Sequence, residues 1–298
     1  MHDTPPPPIY DSLAAPELST DAYVLDVWGV LWDGIHAYPE AAACLHELRR
    51  QGKRILLLSN APRPSHSVVH GLAEIGIADH LFDGILTSGD LCREACANGR
   101  DEFGTAYHYL GLEKDRALLE GLPYQEATEL AAADFILNLG TRQLGESAEV
   151  YRAELSRARD RELPMLCANP DRVIVRSDGT SVDCAGALAD LYVALGGSVR
   201  SFGKPLRPTY DACLERLRGW LPDLVPGAVL AVGDSLTTDI RGALAAGFRT
   251  ALVAGGIHGQ ELGLQRHGDR PDPQRIDALT DRIGVRPDAV LSAFQWCE

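Results

Sequence analysis

Short apolar runs alternate with amphipathic stretches over most of the chain. Ala22–Asp26 and residues 54–58 are apolar runs typical of buried parallel strands. Residues 39–51 begin with a proline and are followed by Gly52, which predicts a helix with defined ends. The alternation continues through a predicted helix, strand and helix at residues 64–75, 84–87 and 88–98. This pattern predicts an α/β fold with a mostly parallel sheet.

The middle of the chain has an alternation of its own, and the first one resumes after Gly203. In the middle we predict strands at 106–110, 135–139 and 165–168 and helices at 148–161 and 185–195. Beyond Gly203 we predict helices at 207–219, 238–246 and 259–267 and strands at 228–232, 250–253 and 289–292. An interrupted sheet predicts a core of residues 21–99 and 200–298 with an inserted α/β cap of residues 100–199. Residues 1–20, which include four consecutive prolines, are expected to be a loose tail.

Composition and charge exclude some classes of partner. The chain has 298 residues, of which 45% are hydrophobic, and its formal net charge is −14. This balance argues against a nucleic-acid binder or a membrane-surface protein, since both depend on basic surface. No signal peptide and no apolar run long enough to span a membrane is visible, and the seven cysteines are scattered. A metal site at Cys92 and Cys96 is disfavoured against simple packing, so we expect a reduced, cytoplasmic protein.

Polar residues that could take part in catalysis or ligand binding follow several of the predicted strands. Asp26 ends the first strand, where open α/β sheets place their active sites, although aspartates also begin turns. Ser59 and Asn60 follow the next strand and could bind an anion or simply form a turn. Asp234 and Asp239 follow a later strand. Their carboxylates suit a hard divalent cation, or else the start of a helix.

The order of these signals resembles the four motifs of the haloacid dehalogenase-like (HAD) phosphohydrolases. Those motifs are an aspartate, a serine, a lysine (here Lys204) and an aspartate pair. Two further segments, Asn169-Pro170-Asp171 and Gly186-Ala187-Leu188, look like the NPD and GAL segments of the HAD branch with a large α/β cap. That branch includes sugar-phosphate, nucleotide, para-nitrophenyl phosphate and pyridoxal phosphate phosphatases. The resemblance implies a three-layer α/β sandwich with an inserted cap.

The resemblance also implies a role for each acidic residue. Asp26 would be the nucleophile that forms an aspartyl-phosphate. Asp26, Asp234 and the backbone carbonyl of Trp28 would hold Mg²⁺, and Asp239 would orient a metal-bound water. Mg²⁺ would also offset the repulsion between this acidic cluster and an anionic phosphate.

Phosphate binding and substrate selection are implied for other residues. Ser59, the N–H of Asn60 and Lys204 would bind the phosphoryl oxygens, and Lys204 is one of only three lysines in the chain. The candidates for binding the leaving group, and so for selecting the substrate, are Asn169, Asp171, Arg176 and Arg63.

The chain departs from the phosphatase pattern at Trp28. The pattern has a second aspartate there, which protonates the leaving oxygen and then activates water, and tryptophan cannot do this. Another group, such as Asp33 or a cap residue, could supply the proton, or the substrate could have a good leaving group. Dehalogenases also lack this aspartate, but they need no Mg²⁺, and the retained Asp234 and Asp239 argue against that activity.

We therefore expect a Mg²⁺-dependent phosphatase of a small phosphorylated metabolite that is slow on alkyl phosphates. The alternative is a pseudoenzyme that binds a phosphorylated metabolite with little or no turnover. Caps of this branch can take part in dimers, so the resemblance also allows a homodimer.

Overall fold

The computed structural model of the protein describes residues 5–175 and 181–297. Within these ranges the residues form two compact units. The first contains the chain up to Ser59, Val69–Leu86 and the chain from Lys204 onward. The second contains Asn60–Val68 and Thr87–Gly203, so it takes in residues that the sequence assigned to the core.

Strands and helices alternate along both units. The strands in the described ranges are β1 (Ile9–Tyr10), β2 (Ala22–Asp26), β3 (Arg54–Ser59), β4 (Gly84–Thr87), β5 (Ala106–Leu110), β6 (Gln125–Glu126), β7 (Phe135–Asn138), β8 (Met165–Cys167), β9 (Val173–Val175), β10 (Ser181–Asp183), β11 (Val199–Ser201), β12 (Val229–Gly233), β13 (Arg249–Val253) and β14 (Ala289–Leu291). The α-helices there are α1 (Ala41–Arg50), α2 (Ser65–Glu74), α3 (Ser88–Asn98), α4 (Arg100–Phe103), α5 (Arg152–Asp160), α6 (Ala185–Ala194), α7 (Arg207–Arg218), α8 (Arg241–Ala245) and α9 (Pro273–Ile283).

The first sheet has seven strands in the order β1-β14-β13-β12-β2-β3-β4. Its central strands are parallel and in close register, with Val24 of β2 opposite both Leu56 of β3 and Ala231 of β12. Every residue of β2 and of β12 is buried, as expected for strands covered on both faces. Because the strands are parallel, the carboxyl ends of β2, β3 and β12 lie at the same edge of the sheet.

The second unit has a parallel sheet of its own, in the order β11-β8-β7-β5-β6, and an antiparallel hairpin of β9 and β10. Its apolar core joins the sheet to helices α5 and α6. Ile136 and Met165 of the sheet pack with Leu155 of α5 and Tyr192 of α6. The α/β fold class predicted from the sequence is confirmed.

One predicted helix is wrong, and helices α4 and α9 are not among those predicted. Residues 259–267 form turns rather than a helix, since Gly259 and Gly263 lie within this segment and Gly263 has φ +72°. Helix α9 has well-defined ends. The Asp272 side chain caps its first turn, Pro273 begins it, and Gly284 ends it at φ +70°.

The expected loose tail is also wrong for residues 9–18. Ile9 and Tyr10 pair with Val290 and Leu291 of the last strand, and Leu13 and Leu18 are buried. These apolar residues therefore add to the core of the first unit. No helix in residues 5–175 or 181–297 combines the length and the hydropathy needed to cross a bilayer.

Candidate active site

A lysine ammonium lies between two aspartates in the first unit. Lys204 Nζ is 2.5 Å from Asp26 Oδ1 and 2.6 Å from Asp239 Oδ1. The exposed fractions of Lys204, Asp26 and Asp239 are 3%, 8% and 5%. Buried charges are tolerated when they are paired and hydrogen-bonded, and here both carboxylates share one cation. Burial lowers the pKa of Lys204, but Asp239 and Asp26 outweigh this and raise it, so the lysine stays charged.

Asp234 is the third acid of this cluster. Carboxylate oxygens of Asp26, Asp234 and Asp239 lie within 4.8 Å of one another. Burial raises the pKa of Asp26 well above its usual value, the charges of Asp239 and Asp234 raise it further, and Lys204 opposes them. A buried set of carboxylate oxygens with more negative than positive charge has the donor chemistry that hard divalent cations prefer. The residues present therefore fit a cation such as Mg²⁺.

A wide helical turn brings Asp234 and Asp239 together. Beyond β12 the chain forms the π-helical turn Leu236–Ile240, in which the Ile240 N–H donates to the Ser235 carbonyl at 3.1 Å. The Ser235 N–H donates to Asp239 Oδ2, also at 3.1 Å. Turns of this kind are rare and are frequently found at functional sites. Here the turn folds the Asp239 carboxylate back towards the end of β12.

The Asp234 carboxylate is held by backbone on two sides. Its Oδ2 accepts a hydrogen bond from the Ile257 N–H at 2.7 Å. Gly29 has φ +80°, and a Cβ on it would lie 2.0 Å from Asp234 Oδ2. The turn after Asp26 therefore requires glycine at position 29.

Trp28 stands where the resemblance to the HAD phosphatases implies an aspartate. Its ring centroid is 5.2 Å from that of Trp32, in an edge-to-face arrangement. Its indole also packs against the backbone of Gly34. The indole therefore stabilises the turn that follows β2, and it offers no group able to transfer a proton.

Asp33 is poorly suited to replace that acid. Its Oδ1 accepts hydrogen bonds from the N–H groups of Ile35 and His36 at 2.8 and 2.7 Å. Burial raises the pKa of Asp33, but these hydrogen bonds outweigh it and the net shift is downward. The carboxyl is therefore ionised at neutral pH and holds no proton to donate.

Asn60, Asn169 and Asp171 come together in the second unit. Asn60 Nδ2 donates to Asp171 Oδ1 at 2.8 Å, and the Asp171 N–H donates to Asn169 Oδ1 at 2.9 Å. Asn60 and Asn169 are both buried. The segment that resembles NPD therefore contacts the residue that follows β3. Ser59 itself is the last residue of β3 and is half-buried.

Of the two arginines predicted to bind the leaving group, only Arg63 lies within the described residues. Arg63 Nε is 3.1 Å from Asp115 Oδ1, and Asp115 is buried. Burial raises the pKa of Asp115 and Arg63 opposes that shift, so the two side chains form a partly buried ion pair. Arg176 lies outside the described residues.

Three further residues support the acidic cluster and were not predicted. Tyr210 Oη donates to the Asp239 carbonyl at 3.0 Å, and Ile257 and His258 contact the Asp234–Asp239 turn. The available signal in the sequence was the glycine-rich stretch after β13, a strand that neighbours β12.

Comparison with known proteins identifies the family. Residues 23–125 match the family described as haloacid dehalogenase-like hydrolase, and residues 201–282 match a second HAD-hydrolase-like family. A solved hydrolase of the haloacid dehalogenase-like family from Brucella suis 1330 is 32% identical with a TM-score of 0.81, and the match covers 96% of this chain and 99% of that chain. The chain belongs to the haloacid dehalogenase-like hydrolase family. The resemblance read from the order of Asp26, Ser59, Lys204 and Asp234 is thereby confirmed.

Two curated relatives have more specific names. Human chronophin is 29% identical over 78% of this chain and 81% of its own length. The sugar-phosphatase AraL of Bacillus subtilis is 25% identical over 97% of both chains. This HAD-like chain is therefore similar to these relatives over most of its length.

Proposed function

We propose that the protein is a Mg²⁺-dependent phosphatase of a small phosphorylated metabolite. The observation that carries this proposal is the buried cluster in which Lys204 is paired with Asp26 and Asp239 beside Asp234. Membership of the HAD-like hydrolase family and the names of the phosphatase relatives support it.

The acidic residues have distinct proposed roles. Asp26 attacks phosphorus, the bond from phosphorus to the leaving oxygen breaks, and an aspartyl-phosphate forms on Asp26. Water then hydrolyses the acyl-phosphate and releases phosphate. Asp26, Asp234 and the Trp28 carbonyl would hold Mg²⁺. Asp239 would not bind the ion directly but would orient a water molecule that does. When bound, the ion supplies positive charge that polarises the phosphoryl oxygens.

Lys204 has two proposed roles. Its ammonium favours the ionised form of Asp26, which burial otherwise disfavours. It also binds a phosphoryl oxygen, together with the Ser59 hydroxyl and the Asn60 N–H.

Trp28 restricts the substrate class. Without a proton donor at this position, an alkoxide leaving group departs slowly, whereas an aryl or acyl phosphate needs little help from an acid. General acid–base catalysis contributes about 10²–10⁴-fold, so alkyl phosphates are expected to be turned over more slowly by about that factor. Selection of the leaving group by Asn169, Asp171, Arg63 and Arg176, a cytoplasmic location and a homodimer stay predictions.

A phosphate-ester panel assayed with and without Mg²⁺ tests the proposal. The panel contains para-nitrophenyl phosphate, acetyl phosphate, sugar phosphates and glycerol 3-phosphate. We expect Mg²⁺-dependent release of phosphate, fastest from the aryl and acyl esters. A pure protein that neither binds Mg²⁺ nor hydrolyses any of these esters contradicts the proposal.

Trp28 also favours a second candidate, a pseudoenzyme that binds a phosphorylated metabolite without turning it over. Under this alternative, substitution Asp26→Asn leaves ligand affinity unchanged and there is no turnover to lose. Under the first proposal, a phosphorylated Asp26 can be trapped in the unaltered protein and not in the variant.

A further inference from the structure

The segment after β13 supports the Asp234–Asp239 turn through two consecutive residues. The Ile257 N–H donates to Asp234 Oδ2 at 2.7 Å. The next residue, His258, accepts a hydrogen bond at Nε2 from the Leu236 N–H at 3.2 Å. Leu236 is the first residue of the π-helical turn, where N–H groups have no partner within the helix.

The hydrogen bond from the Leu236 N–H fixes the tautomer of the His258 imidazole. Because Nε2 accepts, the proton of the neutral ring is on Nδ1, which lies 4.0 Å from Glu261 Oε2. Only 12% of the His258 side chain is exposed, and Glu261 in turn contacts Arg282. His258 therefore presents a hydrogen-bond acceptor to the turn, whereas its Nδ1 lies beyond hydrogen-bond distance of Glu261.

The backbone of His258 is held independently of its side chain. The Leu262 N–H donates to the His258 carbonyl at 2.9 Å. Leu262 is buried in the same apolar cluster as Leu236 and Ile240 of the turn. A change of the imidazole alone should therefore leave the path of this segment in place.

We infer that His258 is a positioning residue that fixes the turn carrying Asp234 and Asp239, so that both carboxylates stay together for the cation. The inference rests on the proposed function, since it assigns the cluster to Mg²⁺. His258 acts through the Leu236 N–H and contacts neither the cation nor the substrate. Groups that orient metal ligands in this way typically contribute about 10–100-fold to metal affinity.

Three variants separate positioning from simple packing. Glutamine in His258→Gln can place its amide oxygen near the position of Nε2 and keeps the acceptor. The matched variant His258→Asn is as polar but one methylene shorter, so its oxygen cannot reach the Leu236 N–H. His258→Leu removes the acceptor and keeps apolar volume. Calorimetric titration with MgCl₂ alone measures the affinity without any substrate, and thermal unfolding of the metal-free protein measures stability.

We expect His258→Gln to bind Mg²⁺ within about threefold of the unaltered protein, and His258→Asn and His258→Leu to bind at least about tenfold more weakly. The KM for para-nitrophenyl phosphate at saturating Mg²⁺ should change little in all three. If His258→Leu does not fold, the Mg²⁺ affinities of the Gln and Asn variants are compared with each other instead. Equal affinity of the Gln and Asn variants overturns the inference while the proposed function stands. Failure of the unaltered protein to bind Mg²⁺ overturns both.

Discussion

The backbone of Gly34 lies directly against the indole of Trp28. A Cβ on Gly34 would fall 2.5 Å from the ring, and the residue has φ +99°. Trp28, at the position where the resemblance implies an acid, therefore packs against the turn after β2. A substitution at position 28 changes stability as well as chemistry, and a test of the missing acid must separate the two.

Replacing Trp28 should restore acid catalysis only when the new side chain can donate a proton. We expect Trp28→Asp to hydrolyse glycerol 3-phosphate about 10-fold faster or more, since a positioned acid contributes about 10²–10⁴-fold. Trp28→Asn is the matched control, with the same size and no transferable proton. Both variants should be destabilised by about 0.5–3 kcal/mol because the packing of the half-buried indole is lost. If the two variants are folded and equally slow, the missing acid does not explain the reaction rate.

Asp26→Asn should lower the turnover of para-nitrophenyl phosphate by at least about 10³-fold, because an amide cannot attack phosphorus at a useful rate and loss of a nucleophile can cost about 10⁶-fold. The matched control is Asp33→Asn, which changes an acid of the same turn whose carboxylate accepts backbone hydrogen bonds. That variant should keep most of the activity. Steady-state assays check both, and a large loss in Asp33→Asn would instead point to Asp33 as a participant in proton transfer.

Mg²⁺ should stabilise the protein through Asp234. At a concentration of 100 times Kd, a ligand bound only by the folded state adds about 2.7 kcal/mol to the free energy of unfolding. We expect a rise in Tm on addition of MgCl₂, which Asp234→Asn abolishes. Asp211→Asn, a change in an exposed ion pair with Arg207, should keep the full rise. A rise of equal size in the Asp234 variant would remove Asp234 from the metal site.

Asp171 is a predicted contact of the leaving group, but the hydrogen bond that it accepts from Asn60 predicts instead that it affects all substrates alike. We expect Asp171→Ala to raise the KM of every ester in the panel by a similar factor. Asp171→Asn keeps an oxygen that can accept from Asn60 Nδ2 and should lie closer to the unaltered protein. A change in KM that is confined to one leaving group would show instead that Asp171 reads the leaving group.

Protonation of Glu154 should lower the free energy of unfolding at acidic pH. Burial opposes ionisation of Glu154, but hydrogen bonds from Arg142 and His108 outweigh it and lower its pKa to about 2. Because this pKa lies below the unfolded value of 4.5, the stabilisation is present above pH 4.5 and is lost as the pH falls towards 2. Urea unfolding between pH 7 and 3 should therefore show a flatter profile for Glu154→Gln. Glu120→Gln, at an exposed site, should keep the original profile.

The sequence allowed the acidic cluster to be predicted because its members follow strands. Asp26 and Asp234 each come directly after an apolar run, and parallel strands bring such positions to one edge of a sheet. His258 could not be found in this way, since its role depends on a contact with Leu236 that no local pattern records. Helix α9 could have been predicted from Asp272, Pro273 and Gly284, whereas the two residues of β1 are too few to show periodicity.

The pairing of β1 with β14 protects an edge of the large sheet. The Val290 N–H donates to the Pro8 carbonyl at 2.9 Å, and the Ser292 N–H donates to the Tyr10 carbonyl at 3.1 Å. A version of the protein cut after Tyr10 would expose these donors on an apolar strand. Unpaired strand edges can pair with strands of other molecules. We therefore expect β1, by covering β14, to reduce aggregation of the protein.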